Sequence, residues 1–430
     1  MPAAERRVVV TGMGVLAPGA ADLAAFWKRL EGGVSSVGPI RRFDASGYPA
    51  RIAAEIDGFR DEDSGDGIDD DGAGRIEAYA SAAVDAALAD ASLAASPADR
   101  SRVGVLLAAG MGSYGHREVF GPSASARAGG DGFDWREFFE TARGTIRPRA
   151  AERRTPGSIA TRIAARHGLA GPVMAVMTAC AAGTQALGDA ARWIRRGKAD
   201  AVVAGAADSE LYPMGLASFC LLGALSTRCD DPPGASRPFD RGRDGFVIGE
   251  GAGALVLEER QHALARGARI RAEIAGFGSA CDAYRVTDPH PEGRGAVRAM
   301  RSALSDAGVD ASAIGYINAH GTSTVANDRA ETRAIRAVLG NLAERVPVSS
   351  TKSMIGHLTV AAGAVEAIAT VLTLERQRIH PTINLTSPDP ECDLDYVPNR
   401  SRRASVEYAL SNSFAFGGQC ASLLLRGASA

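Results

Sequence analysis

Four polar residues stand where apolar runs end, and their types could do acyl chemistry. Cys180 lies in MAVMTACAAGTQAL (174–187), between an apolar run and a helix-like pattern. His320 follows GYINA (315–319), and Lys352 and His357 follow VPVSS (346–350). A core cysteine needs no such junction. A nucleophile does, because amides at a helix N-terminus favour negative charge and lower a thiol's pKa. Two of the seven histidines abut glycine after an apolar strand, in AHGTST and SMIGHL. A lone histidine so placed is more often a satisfied core residue. One cysteine and two histidines at equivalent junctions form a constellation, since active sites of open α/β sheets gather at strand carboxyl ends. A thiolate could attack a thioester and hold its acyl group. Neutral imidazoles could donate hydrogen bonds to a second thioester carbonyl, stabilising the enolate left when a malonyl group loses CO₂. Those steps require no metal and no cofactor.

The elements that must position these groups alternate. Strands are expected over 6–16, 103–110, 172–178 and 199–207, with helices over 20–30, 76–91 and 181–196. The last helix carries Ala182, Ala186, Leu187, Ala190 and Ile194 on one face and arginines near its end, as an amphipathic helix should. The second half repeats the plan: strands at 315–319 and 346–350, a small-residue helix at 358–374, then YALSNSF and ASLLLR. Residues 121–155 read as irregular. Alternation of this kind predicts parallel sheets with helices on both faces, in a pseudo-duplicated α/β core.

Composition narrows the class. The chain has 430 residues, 46% apolar and 23% charged, as in a soluble globular enzyme. A net charge of −2 argues against a nucleic-acid binder. The six cysteines form no CxxC pair, which speaks against zinc and redox motifs and fits a reducing, cytoplasmic setting. No window approaches a membrane span. GxGxxG-like segments at Gly12, Gly14 and at Gly110, Gly112 lack the acidic partner or the helix that dinucleotide binding needs, and read as tight turns at sheet edges.

The motifs TACAAG (178–183), ALSTR (224–228), SRPFDRGRDGFVIGEGAGALVLEE (236–259), NAHGTSTVANDRAE (318–331), SSTKSMIGHLTVAAGAVEA (349–367) and NSFAFGG (412–418) span nearly the whole chain. In them the sequence resembles the elongating β-ketoacyl-[acyl carrier protein] synthases of the thiolase superfamily. The resemblance implies a thiolase-like, five-layered α-β-α-β-α fold. Residues 1–265 would form the half carrying the nucleophile, and 266–430 the half carrying both histidines.

It also implies roles. Cys180 would accept the acyl group, and His320 and His357 would support decarboxylation and condensation. Lys352 would hold the histidine network, and Glu366, inside an apolar helix, would serve the site structurally or by organising water. The amides of Cys180 and Phe416 would form an oxyanion hole. Thr322, Thr324 and Thr287 would touch the phosphopantetheine arm. Phe414 and Phe416 would gate the acyl pocket and Met111 would line it. The partners implied are acyl- and malonyl-loaded carrier protein and a second subunit, identical or a chain-length-factor-like relative. The reaction implied is decarboxylative Claisen condensation in fatty acid biosynthesis. The alternative is the ketosynthase subunit of a type II polyketide or polyene system.

Several positions depart from the family's usual pattern. The gate reads FAFGGQC, with Ala415 for glycine, which would stiffen it, and Cys420 for asparagine. Arg285 replaces a frequent histidine, and Gly223 a docking arginine. The usual basic docking positions fall in an acidic run, 61–71, with only Arg75 left beside it. The nearest compensating cluster is Arg143, Arg147, Arg149, Arg153 and Arg154. These departures bear on carrier docking and acyl specificity rather than on the reaction. A thiolase would want a second cysteine in a CxG setting, which Cys420 in GGQCAS does not supply.

Overall fold

The apolar runs fold as strands whose residues are buried on both faces. β1 (Val8–Leu16), β2 (Val103–Ala109) and β4 (Ala201–Asp208) contain no exposed residue. With β3 (Val173–Val176) and β5 (Gly251–Glu259) they make the strands of the first half. The second half contributes β6 (Ala272–Cys281), β7 (Ile314–Asn318), β8 (Val348–Ser349), β9 (Tyr408–Phe414) and β10 (Gln419–Gly427). This computed structural model describes residues 6–59, 73–93, 99–110, 116–127, 132–145, 152 and 154–428. Met111, the acidic run 61–71, and Arg147, Arg149 and Arg153 lie outside the described residues.

The ten strands hydrogen-bond in the order β3-β2-β4-β5-β1-β6-β10-β9-β7-β8. Read outward from the β1–β6 junction, both sides have the same topology. β2 pairs in parallel with β3 and β4, while β5 runs antiparallel to β4 and β1. β7 pairs in parallel with β8 and β9, while β10 runs antiparallel to β9 and β6. The expected parallel sheet is therefore mixed. In the second half β10 follows β9 across a short link and can only return antiparallel, whereas in the first half β5 reaches the same antiparallel place after a long connection that carries the helix Pro213–Leu221.

Helices repeat as well. In the first half α1 (Ala73–Asp90), α2 (Pro156–His167) and α3 (Ala182–Arg195) follow β1, β2 and β3. In the second, α4 (Arg294–Ala307), α5 (Val325–Leu339) and α6 (Ala362–Arg376) follow β6, β7 and β8. Three apolar clusters define the layers. Tyr79, Val84 and Ile163 of α1 and α2 pack outside the first half-sheet. Met300, Leu304 and Ile335 of α4 and α5 pack outside the second. Leu187 and Ile194 of α3 and Val365 and Ile368 of α6 lie between them, touching strands of both halves. The result is the α-β-α-β-α stack.

Glycines carry the repeat into packing. A Cβ on Gly12 or Gly14 would come within 2.3 or 2.0 Å of the Ala87 or Ala83 carbonyl oxygen of α1. One on Gly276 or Gly278 would meet the Ala303 or Ala299 carbonyl of α4 at 2.1 or 2.0 Å. Gly12 and Gly14 thus lie inside a strand under a helix, not in the turn their spacing suggested. A second correction concerns 121–155, which is not wholly irregular. Helices span His116–Ser125 and Trp135–Thr145. The second is started by Asp134, whose carboxylate accepts the Arg136 N–H at 2.8 Å. Its aromatics at 135, 138 and 139 follow helical spacing; Trp135 and Phe138 pack with Phe133, and Phe139 packs with both of them. Flanking glycines and arginines hide that short pattern.

Candidate active site

Cys180 sits between β3 and α3, as the junction argument expects. Ala179 before it adopts φ +48°, a conformation costly for a residue with a Cβ, which turns the chain sharply from strand to helix. The matching junction of the second half, between β8 and α6, carries Lys352 and His357. The two helix N-termini meet because both are glycine-bearing. A Cβ on Gly183 would lie 2.7 Å from Ala364 N, and one on Gly363 would lie 2.3 Å from Thr184 Oγ1. This close approach leaves Cys180 Sγ 3.1 Å from His357 Nε2.

His320 ends β7 and faces His357 edge-on, with ring centroids 5.3 Å apart. Glu331 of α5 holds it from behind, accepting the amide N–H groups of His320 at 2.9 Å and Gly321 at 2.8 Å. Lys352 Nζ lies 3.3 Å from His320 Nδ1 and pairs closely with the Glu366 carboxylate. Thr351 Oγ1 donates to the same carboxylate oxygen at 3.0 Å. An ammonium can only donate, so His320 Nδ1 accepts and its proton resides on Nε2. His357 Nδ1 has no hydrogen-bond partner among the described residues. A bare acceptor is less costly to bury than an orphaned N–H, so His357 too carries its proton on Nε2.

Charge follows from burial. His320 and His357 are held well below the ordinary imidazole value, by burial first and then by the Lys352 ammonium. Both are neutral donors at neutral pH. The Cys180 thiol corrects the expectation of a lowered pKa. It is 8% exposed, and burial pushes it up to about 12, while the charge of Lys352 pulls the other way. Desolvating a thiolate outweighs what the helix N-terminus returns. Burial also raises Glu366, which Lys352 opposes.

A cavity of about 350 Å³ opens onto this group. Cys180, His320 and His357 line it together with Thr287, Thr322, Thr324, Phe414 and Phe416. Lys352 and Glu366 stand behind the histidines, and Met111 lies outside the described residues. Ala415 has φ −132°, open to any L-residue, so this gate conformation does not need the glycine it replaces. Cys420 also lines the cavity. Sequence reasoning missed Glu331 as a support, though it ends a quoted motif, and missed Phe246, whose ring meets His357 at 5.2 Å.

The mouth is apolar. Leu222 and Val325 line it and are exposed; Leu221, next to Leu222 in the chain, is 90% exposed, and Val286, next to the lining residue Thr287, is 77% exposed. No lysine or arginine is among the described residues lining the cavity, while Asp244 and Asp288 are. Two arginines considered for docking point inward: Arg75 binds Ser209 and the Leu211 carbonyl, and Arg154 pairs with Glu118. Arg143 is exposed, and its neighbours at 147, 149 and 153 lie outside the described residues.

A duplicated five-layer α/β fold, with a cysteine at one internal helix terminus and histidines gathered from the other half, defines the thiolase-fold condensing enzymes. The family model described as Beta-ketoacyl synthase, N-terminal domain, matches residues 5–263, and that for the C-terminal domain matches 271–386. A 3-oxoacyl-[acyl-carrier-protein] synthase 2 from Synechocystis sp. is 42% identical, over 98% of each chain. Among solved structures, a ketosynthase complex described as a type II polyketide synthase acyl-carrier protein with its ketosynthase bound to the hexaketide superposes with TM-score 0.86. It is 36% identical, over 98% of this chain and 99% of the other. The ishigamide ketosynthase/chain length factor matches equally, at 36% and 0.86, over 99% of this chain and 100% of its own. The chain belongs to the beta-ketoacyl synthase family and is an acyltransferase.

Proposed function

We propose that the chain condenses an acyl group held on Cys180 with a malonyl group delivered on acyl carrier protein, giving 3-oxoacyl carrier and CO₂. The observation that carries this reading is the 3.1 Å contact of Cys180 Sγ with His357 Nε2, beside a second imidazole whose tautomer Lys352 sets. In the first half-reaction the thiol attacks the acyl thioester, and its proton leaves with the departing pantetheine sulfur. The His357 N–H and the Lys352 charge favour the developing thiolate. In the second, the Nε2–H groups of His320 and His357 donate to the malonyl thioester carbonyl. CO₂ departs, and the enolate attacks the acyl carbon. The amides of Cys180 and Phe416 receive the oxyanion, and the released sulfur recovers a proton. Thr287, Thr322 and Thr324 line the approach and suit the amides and hydroxyl of a pantetheine arm, with Phe414 and Phe416 beside the acyl chain.

The relatives named 3-oxoacyl-[acyl-carrier-protein] synthase 2 support fatty acid elongation as the pathway. A second reading, a type II polyketide or polyene ketosynthase with a chain-length-factor-like partner, is favoured by the two structural neighbours and by the apolar mouth. In either case the enzyme works as a dimer, with itself or with such a partner. The division at 265/266 into two halves is part of the proposal, supported by the repeated strand order. So is a cytoplasmic location, which six free cysteines suit. Among the described residues no helix is long and apolar enough to cross a membrane.

The test separates the half-reactions. His320→Ala and His357→Ala should each abolish CO₂ release from malonyl carrier while acyl transfer to Cys180, followed by mass spectrometry, survives. Equal loss of both half-reactions in both variants would contradict the assignment.

A further inference from the structure

His357 reaches Cys180 across the boundary between the two halves, and the turn that carries it is strained. Thr359, two residues on, adopts φ +46°. A β-branched residue is strained in the left-handed region and persists there only where its surroundings hold it. Ahead of the turn, His357 is anchored by backbone bonds alone, its N–H to the Val247 carbonyl at 2.7 Å and its carbonyl to Gly249 N–H at 2.9 Å. Behind it stands one carboxylate.

That carboxylate is Asp208, the last residue of β4, 1% exposed and without a basic partner among the described residues. Its Oδ2 accepts the Val360 N–H at 3.0 Å and, closely, the Thr359 hydroxyl. Its Oδ1 accepts the Ser209 N–H at 2.9 Å. Gly110 leaves room for it, since a Cβ there would come within 2.0 Å of Asp208 Oδ1. Burial of a carboxylate without a cation is expensive unless hydrogen bonds satisfy it. Here three do, and two of them clamp the turn. Nearby Glu210 is raised by burial first and then by Asp208, and burial raises Asp208 as well, against its three hydrogen bonds.

We infer that Asp208 is a positioning residue for His357: by binding Thr359 and Val360 it holds the left-handed turn that sets the imidazole over the Cys180 thiol. The carboxylate comes from the half that supplies the nucleophile and acts on the half that supplies the histidine. It thereby locks the register between the two. The inference rests on the proposed role of His357, and it carries a geometric consequence that does not.

Asp208→Ala tests it, with Asp208→Asn and His357→Ala alongside. Asparagine keeps one oxygen for Thr359 and Val360, so Asp208→Asn should hold decarboxylation within about threefold of the wild type. Asp208→Ala should lower malonyl-carrier decarboxylation about tenfold or more, equivalent to ~1.4 kcal/mol in the barrier, while acyl transfer to Cys180, which keeps the favourable Lys352 charge, falls distinctly less. A crystal structure of Asp208→Ala should show Thr359 released from positive φ and the Sγ–Nε2 contact opened. If Asp208→Ala does not fold, Thr359→Val, which removes one clamp, should show the same split in weaker form. Wild-type geometry in Asp208→Ala overturns the inference, whatever the rates. So does wild-type decarboxylation in Asp208→Ala when His357→Ala has lost it. Wild-type decarboxylation in His357→Ala would instead refute the function proposed for that histidine, and the crystal structure would still decide the clamp.

Discussion

Lys352 and Glu366 form a closed ion pair, each side chain 1% exposed, and the lysine's ammonium also meets His320 Nδ1 at 3.3 Å. The pair acts on Cys180 with opposite signs. The ammonium favours the thiolate, and the carboxylate disfavours it. Lys352→Met should therefore slow alkylation of Cys180 by iodoacetamide, and Glu366→Gln should speed it, read by peptide mapping over time. Either change leaves a buried partner uncompensated and should cost about 3–5 kcal/mol of stability. Alkylation rates that move in the same direction in both variants would show that the effect is loosening, not charge.

Buried His380 offers a pH test clear of the site. Its Nε2 lies 3.1 Å from the Tyr316 hydroxyl, and burial lowers it to about 4. In the unfolded chain it titrates near 6.5, so between pH 6.5 and 4 the unfolded state binds the extra proton and stability falls as pH falls. Relative to His380→Asn, the wild type should lose about 3 kcal/mol on going from pH 7 to pH 4. Urea unfolding of both proteins across that range measures the difference. A difference that stays constant with pH would refute a neutral His380.

Carrier docking should depend on contact rather than charge. Leu222 and Val325 line the mouth, Leu221 and Val286 are exposed next to lining residues in the chain, and the described lining holds no cation. Leu221→Glu with Leu222→Glu should cut kcat/KM for an acyl carrier substrate about tenfold, ~1.4 kcal/mol, and leave a small acyl thioester unaffected. Raising salt should change wild-type carrier kinetics little. A steep salt dependence would return docking to the arginines at 143–154.

Assembly should run through the sheet edge. Among the described residues β3 pairs with β2 alone, and Val173 and Met174, with Met177 beyond it, are exposed. An open apolar edge strand invites pairing with another chain. Light scattering should show a dimer, and Val173→Lys with Met174→Lys should shift it to monomer. A dimer unmoved by those lysines would place the interface elsewhere.

Much of the fold was legible in sequence order. The apolar runs ending at Leu16, Ala109, Asp208 and Phe414 are strands because residues buried on both faces leave continuous hydrophobic stretches. Cys180, His320 and His357 could be picked out because each interrupts such a pattern beside small residues, where a strand hands over to a turn. The spacing of Gly12 and Gly14 misled, since glycine serves close packing under a helix as readily as a turn, and only a neighbour's position tells which.

The sequence by itself determined which residue types stand at which junctions, and through the repeat, that two halves must build one core. It singled out Cys180, His320 and His357 as the candidate site, because their chemistry is local to the side chain. Tertiary structure alone decided their state. Burial raises the Cys180 thiol and keeps both imidazoles neutral, and it leaves Lys352 paired with Glu366. Those effects depend on exclusion of water and on the Lys352 charge brought to Cys180 from the other half of the chain, and neither has a one-dimensional signature. The same holds for Asp208: its hold on Thr359, 151 residues away, exists only once α3 and α6 have met.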